Sequence, residues 1–453
     1  MSKTYREWDP EQSWLLPPSP QDWLEKEDLV YFVMDVVSDL DISAITKKYE
    51  RSDGRGYPPY NPRMMVTLLL YAYCRGVFSS RRIMEAGRER VSFRVIVQED
   101  VPDFRTISDF RKDHLSELQD LFVEVLRLCQ KAGLVKLGHV SLDGTKIKAN
   151  ASRHKAMSYE RMQEEQKRLR KEIRGLLDQA RTTDEAEDQR YGRTVRGDQL
   201  PEELTRRRTR LKRIQEAKQA LEAEAEAAAK EELRRRQEEE DEGKGKGGGG
   251  KRSAEPIPAD PEPKTQYNFT DPETSIMKAN NKGFDQCGNA QAVVDRDHQV
   301  IVAADVTNEA NDKKQFKPMV TRAKENLGRR GRIRKVSSDS GYYSEDNVLW
   351  SEKAKLDAYI ATGRLKHNER VEPCPRGRPP EGLTTKERMA RKLRTKRGRE
   401  TYAERKWIVE PVFGQIKRGL GFTQFLLNGM TKMKAEWTLV CMAHNLRKLH
   451  TAT

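Results

Sequence analysis

The chain has 453 residues, with 86 Lys and Arg against 71 Asp and Glu, and so a formal net charge of +15. Its 36% of hydrophobic residues and six Trp can bury a core, which excludes a wholly disordered chain. No apolar run reaches the roughly 18 residues that span a bilayer, and the N-terminus shows no signal segment. Five scattered Cys argue against a disulfide framework or a zinc cluster. The sequence therefore predicts an intracellular, cytoplasmic protein with no membrane partner, which binds a polyanion.

The first part of the chain is predicted to be helical behind an N-terminal arm. Residues 1–55 mix Trp, Pro and charge, and form the arm with a short helix near its end. Residues 56–137 form an all-helical domain with these elements: Pro62 to Arg75, Ser79 to Glu89, and one long helix from Thr106 or Ser108 to Ala132. Arginines concentrate in its second half, which suggests a helix-turn-helix that binds DNA ends. The candidate contacts there are Arg81, Arg82, Arg105 and Arg111.

The pattern then changes to β-rich segments that are interrupted by a charged insertion. HVSLDGTKI, residues 139–147, predicts a strand with Asp143 inside it. Residues 156–242 are helical and strongly charged, and their two sparse apolar stripes predict an antiparallel helical hairpin. The stripes are Met162, Leu169, Ile173 and Leu176, and then Leu204, Leu211, Ile214 and Leu221. Residues 243–265 are rich in Gly and Pro and predict a flexible linker.

Strands and helices alternate again after the linker. The predicted elements are a hairpin of Asn289 to Asp295 and Gln299 to Thr307, a helix from Asn311 to Leu327, a strand from Lys335 to Asp339, a helix from Ser344 to Lys355, a strand from Asp357 to Thr362, and two C-terminal helices, Glu404 to Arg418 and Met430 to His450. Residues 138–155 and 266–453 together therefore predict one α/β domain that the insertion interrupts.

Three carboxylates stand in settings where an acid is costly unless a cation or hydrogen-bond donors neutralise it. Asp143 lies inside an apolar strand and Asp339 ends another, each beside a small turn that admits a ligand to the backbone. Glu410 lies among apolar residues next to Pro411, which favours a helix start. Such a set suits Mg²⁺ or Mn²⁺, and two ions ~3.5–4 Å apart would activate an attacking oxygen at a phosphodiester. Lys417 follows on the same helical face and is a candidate phosphate contact.

Several longer strings occur in order along the chain: SLDGTKIKANAS, VVDRDHQVIVAADVTNEANDKKQFKPM, VSSDSGYYSEDN and VEPVFGQIKRGLGF, followed by EWTLVCMAHNLRKL. In these strings the chain resembles the DDE transposases of bacterial insertion sequences. YNPRMMVTLLLYAYCRGVFSSRRI and FRTISDFRKDH resemble the helical domain that precedes their catalytic domain. The resemblance covers nearly the whole chain, including GDQLPEEL in the insertion, and leaves out the Gly-rich linker and the extreme N-terminus.

The resemblance implies an RNase H-like mixed sheet with flanking helices, an N-terminal all-α domain and a helical coiled-hairpin insertion. It implies that Asp143, Asp339 and Glu410 are both the catalytic and the metal-binding triad. The implied cofactor is Mg²⁺, as two ions with Mn²⁺ as a substitute. The implied activity is cleavage at transposon ends and strand transfer into target DNA, by a nucleoid-associated enzyme. The implied partners are double-stranded DNA, as terminal repeats and target, and a second copy in a homodimer on DNA, because ends must be paired.

Some relatives carry a Tyr-x2-Arg-x3-Glu-x6-Lys signature around the last acid of the triad. This chain matches it at Glu410 and Lys417. Tyr402 and Arg405 leave four residues before the Glu instead of three, so the signature assigns them no role here.

Several residues near these motifs have competing interpretations. Glu404 and Glu436 are rivals to Glu410 as the third acid; Glu404 has a mainly polar setting, and Glu436 suits a structural role among apolar residues. Turn and helix-cap roles are favoured over metal ligation for three residues of DVTNEAND: Asp305, Asn308 and Asp312. Trp407 could stack on a flipped base, but a core position is the favoured interpretation.

A basic run precedes Glu410, and a DNA-backbone contact is favoured there over a solubilising loop. Its candidate contacts are Arg391, Lys392, Arg394, Lys396 and Arg397, with Lys417 and Arg418 beyond the acid. Two other functions remain open on sequence alone. One is a nuclease that cuts without joining, and the other is a non-catalytic DNA-binding protein derived from a transposase.

Overall fold

The structure is a computed structural model that describes residues 23–50, 58–98, 100–136, 138–191, 202–243, 260–278, 283–328, 332–363, 374, 377 and 380–452. Two compact units make up the chain: residues 1–150 with 288–453, and residues 151–287. Most of the predicted linker and the start of the predicted arm lie outside the described residues. Within the described part, no helix is long and apolar enough to cross a membrane.

Seven helices and one strand are described before the insertion: α1 Leu29–Asp39, α2 Ser43–Glu50, α3 Pro62–Cys74, α4 Ser80–Glu89, α5 Val91–Val97, α6 Phe104–Asp113, α7 Leu115–Lys131 and β1 His139–Lys148. The predicted start of α3 is confirmed, since Pro62 occupies its first turn and the Asn61 side chain caps it. The prediction of one long helix to Ala132 is wrong. His114 lies between α6 and α7 with a non-helical backbone (φ −121°, ψ 30°) and separates the two.

The insertion unit has two long helices, α8 Tyr159–Tyr191 and α9 Glu202–Gly243, and a two-stranded sheet of β2 Ala156–Ser158 and β3 Gln266–Asn268. A further strand of this unit is β4 Ser275–Lys278. The predicted antiparallel hairpin is confirmed by ion pairs between the helices, Glu165 with Arg210 at 3.0 Å and Glu172 with Arg207 at 3.2 Å. Most residues of the predicted stripes are buried, and the core between the helices comprises Tyr159, Met162, Leu169, Ile214, Ala217 and Leu221.

The remaining elements follow the insertion: β5 Phe284–Asp295, β6 Ile301–Thr307, α10 Phe316–Leu327, β7 Lys335–Ser338, α11 Glu345–Lys353, β8 Asp357–Ile360, α12 Thr385–Arg394, α13 Lys396–Ile408, α14 Glu410–Gly414 and α15 Met430–Ala452. A π-helical turn, Gln415–Gly419, continues α14. Strand β4 pairs with the first residues of β5, which belong to the same unit as β4. The predicted helix from Glu404 to Arg418 is divided between α13 and α14, because Pro411 has no N–H to continue the helical hydrogen bonds.

The sheet of the larger unit is mixed. Its strands run in the order β5, β1, β7 and β8, with β6 paired to β5. Strands β1, β7 and β8 are parallel, whereas β6 is antiparallel to β5. Helix α10 packs on this sheet, and buried Val140, Val336 and Phe316 share one apolar core. The predicted α/β, RNase H-like fold is confirmed.

Helix α15 joins the N-terminal helices to the sheet within the larger unit. It packs against α3, α7 and β6, and it is buried along most of its length because apolar residues surround its axis. The Asn445 side chain binds both the backbone N–H and the carbonyl of Ile301 on β6, each at 2.8 Å. The N-terminal helices and the sheet therefore share one core.

Candidate active site

Two of the three predicted acids lie at the same level of two adjacent parallel strands. Leu142 of β1 pairs with Ser338 of β7; Asp143, the next residue, lies inside β1, whereas Asp339 directly follows the last residue of β7. The Asp143 side chain accepts from the Gly144 N–H at 2.8 Å, and that of Asp339 accepts from the Gly341 N–H at 2.9 Å. The register of β1 and β7 thus brings these two carboxylates together.

Asp143 is a buried acid with an unusual charge balance. Burial raises the pKa of Asp143 to about 7; the nearby carboxylates of Asp339 and Asp312 also raise it, while the Arg405 guanidinium and the Gly144 N–H lower it. An acid that is desolvated and close to other acids gains much from a cation. Perturbed carboxyl groups of this kind are typical of functional sites.

Arg405 links Asp143 to the third predicted acid. Its guanidinium lies 2.9 Å from Asp143 Oδ2 and 3.6 Å from Glu410 Oε1. The Arg405 side chain is only 13% exposed, whereas that of Glu410 is 54% exposed. The extra residue between them does not keep Arg405 from the site. The signature found in relatives assigns Arg405 no role, but in the structure Arg405 bridges two acids.

The donor set fits a hard divalent cation. Carboxylate oxygens are the ligands that Mg²⁺ and Mn²⁺ prefer. The absence of a Cβ at Gly144 and Gly341 lets polar side-chain atoms approach the backbone closely at both turns. Among the described residues, no three Asp, Glu, His or Cys side chains stand close enough to hold one metal ion. The guanidinium of Arg405 lies between Asp143 and Glu410 in this arrangement.

Asp312 is a further acid at this site that sequence reasoning assigned to a turn or cap. Asp312 is the N-cap residue of the 3-10 turn Lys313–Gln315, but its side chain makes no capping hydrogen bond there. Instead, Asp312 Oδ1 accepts from Asn289 Nδ2 at 2.6 Å and from Gln291 Nε2 at 2.8 Å. The signal for these two partners was in the string NAQAVVD, since polar residues at alternate positions of an apolar strand share one face. Asp312 thus occupies the predicted cap position, and its side chain also belongs to this hydrogen-bond network.

Two family models match parts of the chain. Residues 18–113 match the family model described as "Transposase domain (DUF772)", and residues 255–446 match "Transposase DDE domain". The chain belongs to the DDE transposases. The second match contains Asp339 and Glu410, whereas Asp143 lies between the two matched regions. No curated protein and no solved structure matches the chain. DDE transposases act on DNA and generally use divalent metal ions.

The rival acids of this transposase have other partners. Glu404 binds His139 at 3.0 Å and Arg296 at 2.9 Å, at the start of β1 rather than beside Asp143. Glu436 is fully buried in α15 and accepts from two backbone N–H groups, those of Leu426 and Leu427. Burial raises the pKa of Glu436 to about 7. Both acids are structural in this arrangement.

Trp407 does not occupy the core, contrary to prediction, because its side chain is 77% exposed. Since Pro411 cannot donate to the carbonyl four residues earlier, that carbonyl of Trp407 is free to accept from Gln299 Nε2, at 2.8 Å. The backbone is thereby held while the indole points outward.

The predicted DNA contacts of the N-terminal helices divide into exposed and buried residues. Arg81, Arg82 and Arg105 are exposed. Arg111 is only 3% exposed, and its guanidinium donates to the Tyr73 hydroxyl and to the Phe78 carbonyl, both at 3.0 Å. The prediction that Arg111 contacts DNA is wrong for this conformation, because its charge is used inside the helical core.

The basic run before Glu410 lies on α12 and α13. Lys392 is engaged internally, since its ammonium pairs with Asp357 and donates to the Ala358 carbonyl, both at 2.7 Å. Arg391 donates to the Gly377 carbonyl at 3.1 Å, and Arg394 is partly buried. Two residues of the run have exposed side chains, Lys396 and Arg397.

Lys417 and Arg418 lie in the π-helical turn beyond the acid. The Lys417 ammonium donates to the Thr145 hydroxyl and, at 3.2 Å, to the Lys146 carbonyl, so it is held against β1 two to three residues from Asp143. Arg418 is exposed. The turn therefore carries one cation next to the carboxylates and another at the surface.

Proposed function

We propose that this transposase cuts DNA at transposon ends and joins the cut strands to target DNA. The observation that carries the proposal is the placement of Asp143 and Asp339 at the same level of adjacent parallel strands, with burial raising the pKa of Asp143 to about 7. A desolvated acid beside a second acid is unfavourable for folding alone. The arrangement is favourable when a cation compensates the charge.

The residues that would hold divalent cations are Asp143, Asp339 and Glu410. Two Mg²⁺ ions, or Mn²⁺ in their place, would supply Lewis-acid activation of the attacking oxygen and stabilise the leaving oxygen of the phosphodiester. Glu410 is half-exposed and contacts only the edge of the Arg405 guanidinium, at 3.6 Å. Its carboxylate is thus free to turn toward Asp143 when the guanidinium moves aside.

Basic side chains beside the carboxylates would orient the DNA. Lys417 is anchored on Thr145 and Lys146 and so presents its charge next to Asp143, where a phosphate oxygen would lie. Arg405 remains charged: burial lowers the pKa of the guanidinium, but Asp143, Tyr402, Asp339 and Glu410 together raise it by more. When it leaves the acids, it can bind a phosphate as a two-pronged donor.

The exposed cations farther away would bind the DNA backbone. They are Arg81, Arg82, Arg105, Lys396, Arg397 and Arg418. Such contacts fix the position of DNA without reading its sequence. Because two ends must be held for joining, the active species would be a homodimer on DNA.

A joining assay tests the proposal. The full chain is given pre-cut duplexes from the DNA that flanks its gene, together with a target plasmid and Mg²⁺. We expect joined products from the wild type and none from Asp339→Asn, with DNA affinity nearly unchanged in both. Asp297→Asn is the control, because Asp297 is exposed on the turn between β5 and β6, away from the strand ends.

Three outcomes would contradict the proposal. Cutting without joining would indicate a nuclease. Binding without any cutting would indicate a non-catalytic DNA-binding protein. Full joining by Asp339→Asn would remove the assigned residues from the reaction.

A further inference from the structure

The carboxylate of Asp312 is oriented by a buried network. Its two amide donors, Asn289 and Gln291, are both fully buried on β5. Gln291 is held in turn through its side-chain oxygen, which accepts from the buried Tyr342 hydroxyl. A surface carboxylate that only solubilises the chain has no need of three buried polar side chains, each of which costs free energy to desolvate. The network orients one oxygen and leaves the other available.

The available oxygen of Asp312 and one oxygen of Asp339 both lie close to Gly341. Asp312 Oδ2 and Asp339 Oδ1 lie 3.2 and 3.0 Å from the point where a Cβ would stand on Gly341. They therefore border the same small space, which exists because residue 341 has no side chain. At Gly144, a Cβ would likewise stand 3.1 Å from Asp312 Oδ1. The carboxylate of Asp312 thus lies next to both turns that follow the paired strands.

A second observation points to a ligand in this region. Asn289 Oδ1 is buried and has no hydrogen-bond partner in the described part of the chain. It lies 3.0 Å from the Cβ position of Gly144, on the side of the carboxylates. An unsatisfied buried carbonyl oxygen is costly. A cation or its bound water would satisfy it.

The charges around Asp339 and Asp312 leave a negative surplus. Lys146 is 3.6 Å from Asp312 Oδ1. Among the described residues, no Lys or Arg forms an ion pair with Asp339, and Asp143 and Glu410 share Arg405. Each pair of acids thus has one cation for two carboxylates.

We propose that Asp312 is a fourth acidic residue of this site and binds a divalent cation together with Asp339. The space in front of Gly341 holds the cation, and the amides of Asn289 and Gln291 keep Asp312 in position. Asp312 is also less exposed than Glu410, at 20% against 54%, which suits a permanent ligand better than a mobile one. The inference rests on the proposed function, because it concerns the cations of the same site.

Binding of Mn²⁺ to the full chain without DNA tests the inference, measured by electron paramagnetic resonance. Asp312→Asn keeps an oxygen for the two amide donors but removes the charge. We expect it to weaken Mn²⁺ binding at least about tenfold. Gly341→Ala leaves every charge in place but fills the space between the two carboxylates, so we expect a similar loss. Thermal melting without metal checks that each variant is folded.

Two further variants make the outcomes distinguishable. Asp305→Asn is the matched control, since Asp305 is 15% exposed and pairs with Arg322 and Lys434 instead. Asp339→Asn reports on the proposed function itself. Wild-type affinity in both Asp312→Asn and Gly341→Ala, with a loss in Asp339→Asn, would overturn the role of Asp312 alone. No Mn²⁺ binding by the wild type, or no effect of Asp339→Asn, would overturn the proposed function together with this inference.

Discussion

The insertion hairpin and the strand ends of the sheet use charged residues in opposite ways. On α8 and α9, ion pairs lie at the surface; in the pair of Glu202 and Arg206, for example, both side chains are more than three-quarters exposed. At the strand ends, Asp143 and Arg405 are 18% and 13% exposed. Solvated pairs contribute little to stability, whereas a buried pair costs desolvation and is strongly destabilising when one partner is removed.

The charged residues of the two regions therefore differ in what they cost the fold. The hairpin would remain folded if other polar residues replaced its charged ones, because apolar residues form the core between its helices. The sheet would be more stable with apolar residues at its strand ends, since desolvated acids oppose folding. Residues that lower the stability of the fold in this way indicate where the proposed chemistry takes place.

The largest expected change in stability follows the substitution of Arg405. Arg405→Met leaves Asp143 buried without its cation, so we expect the free energy of unfolding in urea, without divalent metal, to fall by about 3–5 kcal/mol. Adding Asp143→Asn to the variant should recover part of this loss, because the uncompensated charge is gone. Strictly additive losses in the double variant would show that the two side chains do not interact.

The next effect is a dependence of stability on pH at Glu436. Because burial raises the pKa of Glu436 from 4.5 to about 7, the folded chain holds its proton more tightly than the unfolded chain. The free energy of unfolding should therefore fall as pH rises through this interval, by up to about 1.4 kcal/mol per pKa unit. Glu436→Gln keeps an oxygen for the two backbone donors and should lack this fall. A wild-type-minus-variant difference that stays constant from pH 5 to 8 would contradict the assignment.

Replacing either of two glycines by alanine should change stability by a smaller amount, and the two changes should have opposite signs. Gly144→Ala places a Cβ 2.4 Å from Gln291 Nε2, and we expect it to lower stability by about 1–3 kcal/mol. Gly175→Ala on α8 meets nothing within 4 Å. It should raise stability by about 0.5–1 kcal/mol, because alanine favours a helix. Thermal melting of both variants measures the sign of each stability change. Equal shifts of the melting temperature in the two variants would contradict the crowding at Gly144.

The smallest effect is expected at the exposed pair of the insertion. Arg206→Ala should change the free energy of unfolding by less than about 0.5 kcal/mol, because solvent already screens its interaction with Glu202. Urea unfolding at low and high salt measures this. A loss of stability as large as that of Arg405→Met would contradict the claim that the ion pairs of the two regions differ in their contribution to stability.

The sequence singled out Asp143 and Asp339 because their signals are local. An acid in or directly after an apolar strand, followed by a small turn, is readable within a few residues: Asp143 lies inside β1 and Asp339 follows β7. That these acids are adjacent follows from the parallel pairing of β1 and β7, which is consistent with the predicted α/β domain.

The sequence-based predictions were wrong or incomplete where contacts with residues far away in the chain determine the position of a side chain. Arg111 is buried by Tyr73 and Phe78, which lie more than 30 residues earlier in the chain. The donors to Asp312 come from a strand 21 and 23 residues away. In the same way, Trp407 is outward-facing because of how α13 meets the loop at Gln299. Composition and periodicity carry no information on such contacts.

The most direct test of the account is cleavage of a supercoiled plasmid that carries the DNA flanking the gene, with wild type and Asp143→Asn compared. We expect end-specific cleavage by the wild type with Mg²⁺, and none with EDTA. Asp143→Asn should cut at least about 1000-fold more slowly, while it binds the same DNA with nearly unchanged affinity. Cleavage by Asp143→Asn at the wild-type rate would contradict the claim that the buried acid of β1 performs the reaction.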